Sequence, residues 1–500
     1  MKDRIAVIGS GFAGLAAATS LAQKGFDVDL YEKNEQTGGR ARKFESDGFV
    51  FDMGPSWYWM PDVFEDYFSK FGKKPSDYYK LKRIDPSYKV IFGKDDHLEI
   101  PASLDEQKKM FEKLEPGSSK NLDLFLEEAR YKYEVGMKDI VYKPALSIFE
   151  FFNWKIASGA LRLHLLKSFS SYIRKFFSHP KLLKLLEFPV LFLGAKPEDT
   201  PALYSIMNYA DMKLGTWYPM GGMHEVVKGM TSLAEEMGVK IHLNSEIEKI
   251  VVEDKKAKGV VVNGEFRAAD AVVAGADYHH VEQKLLEPQF RNYSEDYWGK
   301  RTMAPSCLLY YVGVDKKLDG IEHHNLFFDE DFAIHSKEIY DTKEWPKKPL
   351  FYVCAPSKTD PTVAPEGKEN VFILIPVAPG LKDNQEIREK YYNIVCQRLA
   401  NVTGCDIREH SVFLRSYAHE DFVEDYNAFR GNAYGLANTL NQTAFLKPSL
   451  RNKIVSNIFY TGQLTTPGPG VPPSLISGQV AATAVAKHLK TIRQQQHKVA

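Results

Sequence analysis

Gly9-Ser10-Gly11-Phe12-Ala13-Gly14 stands directly after the apolar run Ile5–Ile8 and opens an Ala-rich stretch that ends near Lys24-Gly25. Strand, tight turn and helix in that order make a cradle for a pyrophosphate. Gly9 permits the turn, Gly11 lets a phosphate come close to the backbone, and Gly14 lets the helix pack against the strand. The positive end of the helix then faces the anion. A second short strand, Val28–Tyr31, ends at Glu32, about 20 residues on, where a carboxylate accepts ribose hydroxyls and disfavours a 2′-phosphate. This is the chemistry of a redox dinucleotide. Nicotinamide and flavin dinucleotides share such a half-site, so the choice between them rests on the residues beyond Glu32.

Gly38-Gly39-Arg40, six residues after Glu32 and followed by Arg42, is a second Gly-rich turn that carries a cation toward the same pyrophosphate. It resembles the turn that flavoproteins of the amine oxidase and carotenoid desaturase superfamily place just past the ribose acid. Gly48-Phe49-Val50-Phe51-Asp52-Met53-Gly54-Pro55-Ser56 alternates like a strand and breaks at Gly-Pro; it is similar to the segment that these proteins set beside the isoalloxazine. Flavin is therefore favoured over nicotinamide. Trp57-Tyr58-Trp59 comes directly after it, and flat aromatic side chains there suit either a polyene substrate or plain core packing.

The end of the chain closes the resemblance. A strand over Asn457–Tyr460 runs into Thr461-Gly462-Gln463, and Pro467-Gly468-Pro469-Gly470-Val471-Pro472-Pro473 leads into a small-residue helix from Ser474 to His488. With Ala355-Pro356, Ala364-Pro365-Glu366-Gly367 and Asn427-Ala428-Phe429, this resembles the bacterial and fungal type of phytoene (carotenoid) desaturase family over almost the whole chain. Gln463 and Leu464 stand where that family usually has small residues, and Pro473 replaces a glycine. The resemblance implies FAD, with contacts from Gly9, Gly11, Gly14, Glu32, Gly38, Gly39, Arg40, Gly54, Pro55, Ser56, Gly462, Gln463, Gly470, Val471 and Pro472, and with Ile247 at the adenine end. It implies an apolar C40 isoprenoid substrate beside Trp57, Tyr58 and Trp59, hydride transfer to flavin, and electrons passed on to oxygen or a quinone. A desaturase of hydroxylated carotenoids, a carotenoid isomerase and other flavin oxidases of the same fold stay open. Glu150 aligns with an acidic family position and is a candidate proton acceptor if it faces an apolar cavity; otherwise it is a solvated helix carboxylate.

The elements that must position these residues define an α/β protein. A discontinuous Rossmann-type FAD-binding domain, of the glutathione reductase and amine oxidase kind, is expected from residues 1–85, 200–285 and 416–490. A mixed β-sheet substrate domain is expected over 286–415. A helical cap over 86–199, entered through a hairpin around Gly93-Lys94-Asp95-Asp96, is expected to face a membrane, and 491–500 is expected to be a disordered tail.

Composition narrows the setting. Lys+Arg and Asp+Glu are equal at 65 each in 500 residues, and 44% of residues are hydrophobic, so disorder and a global pull toward nucleic acid are both excluded. Cys307, Cys354, Cys396 and Cys405 follow no framework or CxxC spacing, which suits a reduced compartment. The His279-His280 and His323-His324 pairs have no partner ligands at metal spacing, and no metal is expected. The Met1–Arg4 segment and the apolar run behind it carry the dinucleotide glycines and are expected to fold, not to act as a signal peptide. From Asn153 to Leu186 there is no acid, while seven Lys and Arg stand among Phe, Leu, Ile, Trp and Tyr. Such a stretch either lies on anionic lipid or covers a core with solvated lysines; nucleic acid is a weaker third reading, because no binding motif accompanies the charge. A cytoplasmic protein, peripheral on the inner face of the cell membrane, is the expectation.

Overall fold

Ile5, Ala6, Val7 and Ile8 are all buried, which is why the first strand shows an unbroken apolar run and no alternation. In the computed structural model, which describes residues 2–146, 150, 167–191, 194–439 and 441–499, that strand is the middle of a five-stranded parallel sheet. Arg4–Ile8 pairs with Asp27–Tyr31 on one side and Ala271–Ala274 on the other. Lys240–His242 and Ile458–Tyr460 form the two edges. Three distant stretches of chain thus build one sheet. A three-stranded antiparallel sheet, Ile247–Glu253, Lys256–Val262 and Glu265–Ala268, is attached beside it.

Helix Phe12–Gln23 packs along the final helix, Val471–Val499. The contact is made of small residues, Ala13, Ala16 and Ala17 against Gly478, where an added Cβ would overlap the Ala13 carbonyl oxygen and lie 2.8 Å from the Ala16 Cβ. The final helix continues to Val499, in place of the expected disordered tail. No Gly or Pro occurs beyond Gly478, the residues there are mostly good helix formers, and Arg493 pairs with Asp3 at 2.6 Å.

The second sheet has seven strands, in the order Ser411–Tyr417, Ser306–Val314, Glu369–Val377, Phe351–Cys354, His324–Phe327, Tyr88–Gly93 and Asp96–Ile100. All neighbours are antiparallel except His324–Phe327 and Tyr88–Gly93, which run parallel. The hairpin over residues 86–101 therefore belongs to this sheet and not to the helical cap. Its residues Tyr88, Lys89, Val90 and Ile91 are buried on both faces, and only sheet pairing satisfies their backbone groups there. Strand Ser306–Val314 divides the interior. Cys307, Leu309 and Tyr311 face the core shared with the dinucleotide domain, while Leu308, Tyr310, Val312 and Val314 pack with helix Gln385–Thr403.

Helices Leu104–Leu114, Ser118–Val135, Phe169–Ile173 and Pro180–Leu191 cover the remaining side. Of the acid-free stretch, residues 153–166 lie outside the described residues. In its described part Phe169, Tyr172, Ile173, Phe177, Leu182, Leu185 and Leu186 are buried, and Arg174 and Lys181 pair with Glu187 and Asp96. Its apolar side chains thus cover a core, while Arg174 and Lys181 are held by acids of neighbouring elements. No described helix is long and apolar enough to cross a membrane.

Because the helix contact leaves no room at Gly478, Gly478→Ala is expected to lower stability by about 1–3 kcal/mol through overpacking. Thermal unfolding of the apoprotein reads this as a fall in Tm, and an unchanged Tm would mean that the two helices can part.

Candidate functional site

The Gly9–Gly14 turn lines a cleft between the parallel sheet and the strands above it. A Cβ on Gly14 would overlap the Gly9 carbonyl oxygen, whereas one on Gly11 would meet nothing within 4 Å. The helix is thus seated hard on its strand while the ground over Gly11 stays open for an approaching phosphate. Glu32 is fixed by the turn itself. Its Oε2 accepts from the Ser10 backbone N–H at 2.9 Å and from Ser10 Oγ at 2.6 Å, and its Oε1 accepts from the backbone and side-chain nitrogens of Asn34, both at 3.0 Å. Ser10 and Asn34 are holders that motif spacing does not reveal. Ile247 lines the same end of the cleft, next to Ser245 and Glu246.

The second Gly-rich turn crosses the first: Gly38 N donates to Ser10 O at 3.0 Å. It carries Arg40, which lines the cleft. Arg40 Nη2 donates to Asn432 O at 3.2 Å, its guanidinium lies 5.1 Å from the Tyr426 ring centre, and its buried Nε has no partner. Burial lowers its pKa, and the Asp277 carboxylate opposes that shift. A buried guanidinium with an unspent donor fits the pyrophosphate of a dinucleotide. Arg42, by contrast, is buried and paired with Asp425 at 2.6 Å.

Gly54, Pro55, Gly462, Gln463, Gly470 and Val471 line the other end of the cleft. Gln463 Nε2 donates to Asn432 Oδ1 at 3.1 Å. Pro472 and Pro473 occupy the first turn of the final helix, where no backbone N–H is required, so Pro473 in place of glycine is accommodated. Asp52 locks this region from behind: its oxygens accept from the backbone N–H groups of Met223 at 2.7 Å and His224 at 3.0 Å. Burial pushes its pKa up to about 6.

Gly54, Pro55, Leu374, Tyr434, Gly470 and Val471 also line a second chamber. Its walls are apolar and aromatic, with Trp57, Trp59, Phe188, Leu326, Phe328 and Tyr352 among them. Trp57 stacks on His324 with centroids 4.0 Å apart, and Trp59 Nε1 donates to Thr216 Oγ1 at 2.9 Å. Tyr58 departs from the expectation. Alternation turns it to the opposite side, where it stacks on Phe64 at 4.5 Å and its hydroxyl meets that of Tyr79 at 2.9 Å. Ser56 lines the chamber and lies 2.9 Å from the Tyr352 hydroxyl.

Glu150 is not brought to either cavity. It lines an outer cleft with Gln479, Thr483 and Lys487 on the final helix, and its Oε1 accepts from Leu146 N at 3.1 Å. The His323-His324 pair, without a third ligand in sequence, gains Cys354 from the neighbouring strand: His324 pairs with Cys354 in register, and the ligand atoms of the three lie within 4.8 Å of one another. Burial pushes the Cys354 thiol up to about 12, so it is protonated at neutral pH.

Trp59 is held by a buried carboxyl. Thr216 Oγ1 donates to Asp211 Oδ1 at 3.3 Å and the Tyr88 hydroxyl donates to Asp211 Oδ2 at 2.6 Å. Burial raises Asp211 to about 7.

A dinucleotide cleft on a Rossmann sheet, joined to an apolar chamber under a second sheet, defines a two-domain oxidoreductase. Residues 12–486 match the model of the flavin containing amine oxidoreductase family. The chain is 43% identical over 488 residues to a carotenoid 3,4-desaturase of Haloarcula japonica, covering 97% of this chain and 99% of that one. It is 32% identical over 501 residues to a 4,4′-diapophytoene desaturase (4,4′-diaponeurosporene-forming) of Staphylococcus aureus, with the same coverage of 97% and 99%. Among solved structures, an oxidoreductase from Methanosarcina mazei superposes with a TM-score of 0.62 at 16% identity, covering 97% of this chain and 100% of that one. Wild-type putrescine oxidase bound to putrescine does so with a TM-score of 0.62 at 16% identity, over 97% and 99% of the two chains. The protein belongs to the flavin containing amine oxidoreductase family, and its cofactor is FAD.

Arg40→Met removes a charge-assisted contact worth roughly 1.5–3 kcal/mol, so FAD affinity is expected to fall by about 10- to 10²-fold in a fluorescence titration of the apoprotein. Asp211 gives a pH signature. In the folded protein it keeps its proton up to about pH 7, against 3.8 for the ordinary carboxyl. The folded state therefore binds more protons in that window, and stability falls as pH rises through it. Thermal unfolding of the wild type relative to Asp211→Asn is expected to show its largest advantage at the acid end of the window and a decline toward about pH 7.

Proposed function

We propose that this protein is an FAD-dependent carotenoid desaturase that introduces conjugated double bonds into a C40 isoprenoid. The observation that carries this reading is the chamber that meets the dinucleotide cleft at Gly54, Pro55, Leu374, Tyr434, Gly470 and Val471, with aromatic walls and no Asp or Glu among its described lining residues. When bound, FAD supplies the acceptor for a hydride, and with it two electrons, from a saturated carbon.

The chain's own residues do the rest. Gly9–Gly14, Glu32 and Arg40 hold the dinucleotide. Trp57 and Trp59 offer flat surfaces to a polyene, and the Thr216–Asp211–Tyr88 network keeps Trp59 from turning. Close apolar walls exclude water, so a cation developing along the polyene is not quenched. Chemistry of this kind depends on alignment more than on a set of charged side chains.

Two substrates fit this chamber, phytoene and a hydroxylated carotenoid. Likeness to proteins named as a carotenoid 3,4-desaturase and as a 4,4′-diapophytoene desaturase supports desaturation of a carotenoid, with phytoene the first substrate to test and a hydroxylated carotenoid the second. We further place the enzyme peripherally on the cytoplasmic face of the cell membrane, because a C40 hydrocarbon dissolves in lipid and not in water.

The test is to incubate FAD-loaded protein anaerobically with phytoene, or with a hydroxylated carotenoid, in liposomes free of quinone. Bleaching of the flavin together with new long-wavelength polyene absorption is expected, and the lipid pellet should carry the protein. A flavin that stays oxidised with both substrates would overturn the assignment.

A further inference from the structure

Removing a hydride from one carbon leaves a proton on its neighbour that must go somewhere, and the apolar chamber offers few acceptors. No Asp or Glu is among its described lining residues. His335 lines it, but both ring nitrogens are committed: Nε2 donates to Pro376 O at 2.9 Å and Nδ1 accepts from Leu350 N at 3.0 Å. That ring has no lone pair left to take a proton.

Tyr352 differs. Its hydroxyl lies 2.9 Å from Ser56 Oγ and 2.6 Å from His324 Nδ1. Ser56 and Tyr352 both line the chamber, and Ser56 comes just after Gly54-Pro55 at the junction with the cofactor cleft. His324 stands behind them, stacked flat on Trp57, so the imidazole is anchored against the same wall that a polyene would lie on. Its Nε2 is buried without a partner. With Nδ1 accepting from Tyr352, Nε2 carries the ring's hydrogen, and a ring nitrogen of His323 and the Cys354 sulfur lie within 4.8 Å of the His324 ligand atom.

We propose that Tyr352, supported by His324, is the proton acceptor of the desaturation; this rests on the function proposed above. In the step, the C–H bond beside the cationic carbon breaks and its electron pair becomes the new C=C bond. The proton goes to the Tyr352 oxygen as the proton of Tyr352 passes to His324 Nδ1. The hydride from the first carbon, with its two electrons, has gone to FAD. That hydride and the proton on His324 together leave to the quinone or oxygen that reoxidises the enzyme, so the cycle balances. Tyr352 is the group that meets the substrate, and His324 is a positioning residue that acts through it.

Burial raises the Tyr352 phenol well above its ordinary value and lowers His324 well below its own. At rest, therefore, both are neutral and the dry chamber holds no net charge. A weak base is sufficient, because a hydrogen beside a carbocation is far more acidic than an imidazolium.

Two readouts test the relay. In FAD-loaded protein with 15N-labelled histidine, the Tyr352–His324 bond is expected to give a strongly downfield proton resonance that disappears in Tyr352→Phe and in His324→Gln. This requires no substrate and no turnover. In anaerobic single-turnover bleaching, each variant is expected to lose on the order of 10²-fold in rate with an unchanged Kd for the polyene. The double variant should be no slower than either single one, because the two act as a unit. A missing resonance in the wild type, or either variant bleaching at the wild-type rate, overturns the relay. A wild type that bleaches with no polyene overturns the desaturase reading instead.

Discussion

Everything in this molecule depends on how closely backbone can approach backbone where helix Phe12–Gln23 meets its strand and the final helix. At Gly14 and at Gly478 there is no space for a single methyl group. With those contacts made, the helix N-terminus, the Glu32 carboxylate and the Gly462 turn all face one cleft. Were the helices to stand apart, the cleft would lose its floor and its far wall together. The remaining chain is arranged as excursions that leave this sheet and return to it, which is why three separated stretches supply its strands.

The second sheet solves a different problem, that of bringing a hydrocarbon to a polar cofactor without water. Strand Ser306–Val314 is buried on both faces, so its alternate residues serve two interiors at once. Cys307 and Leu309 reach the cofactor cleft, while Leu308 and Tyr310 sit under the outer helix. Two rings of the chamber wall have their polar atoms held by neighbouring side chains, Trp59 by Thr216 and Tyr352 by Ser56 and His324.

How much of this is legible in the sequence depends on the range of the interactions involved. The Gly9–Gly14 turn, Glu32 and the Gly-Gly-Arg turn impose local demands, glycine where backbone must approach and a cation where phosphate would lie, and local demands leave a spaced pattern. Gly54-Pro55 and the Gly470-Val471 turn leave one too. Pairing between strands does not. Nothing local in the hairpin Tyr88–Ile100 says that it joins His324–Phe327, far along the chain. For the same reason Cys354 is invisible as a neighbour of His323-His324, and Asp211 as the support of Trp59. Tyr58 sits between two chamber residues and points away from them because strand alternation outranks adjacency. Glu150 shows the reverse limit. A position matched along the chain carries no depth, and the structure sets it against the final helix on the outside.

The clasp between the first and last helices also sets the order in which the protein can be made. The turn that cradles the pyrophosphate leaves the ribosome well before the helix that completes its site. Until Ile458–Tyr460 and the helix behind it have been made, the N-terminal sheet lacks that edge strand and a partner for Ala13 and Ala16. Contacts so far apart in sequence form late. Cofactor capture then follows the docking of Val471–Val499 onto Phe12–Gln23, and a site whose two halves are so distant in sequence closes only when both are in place.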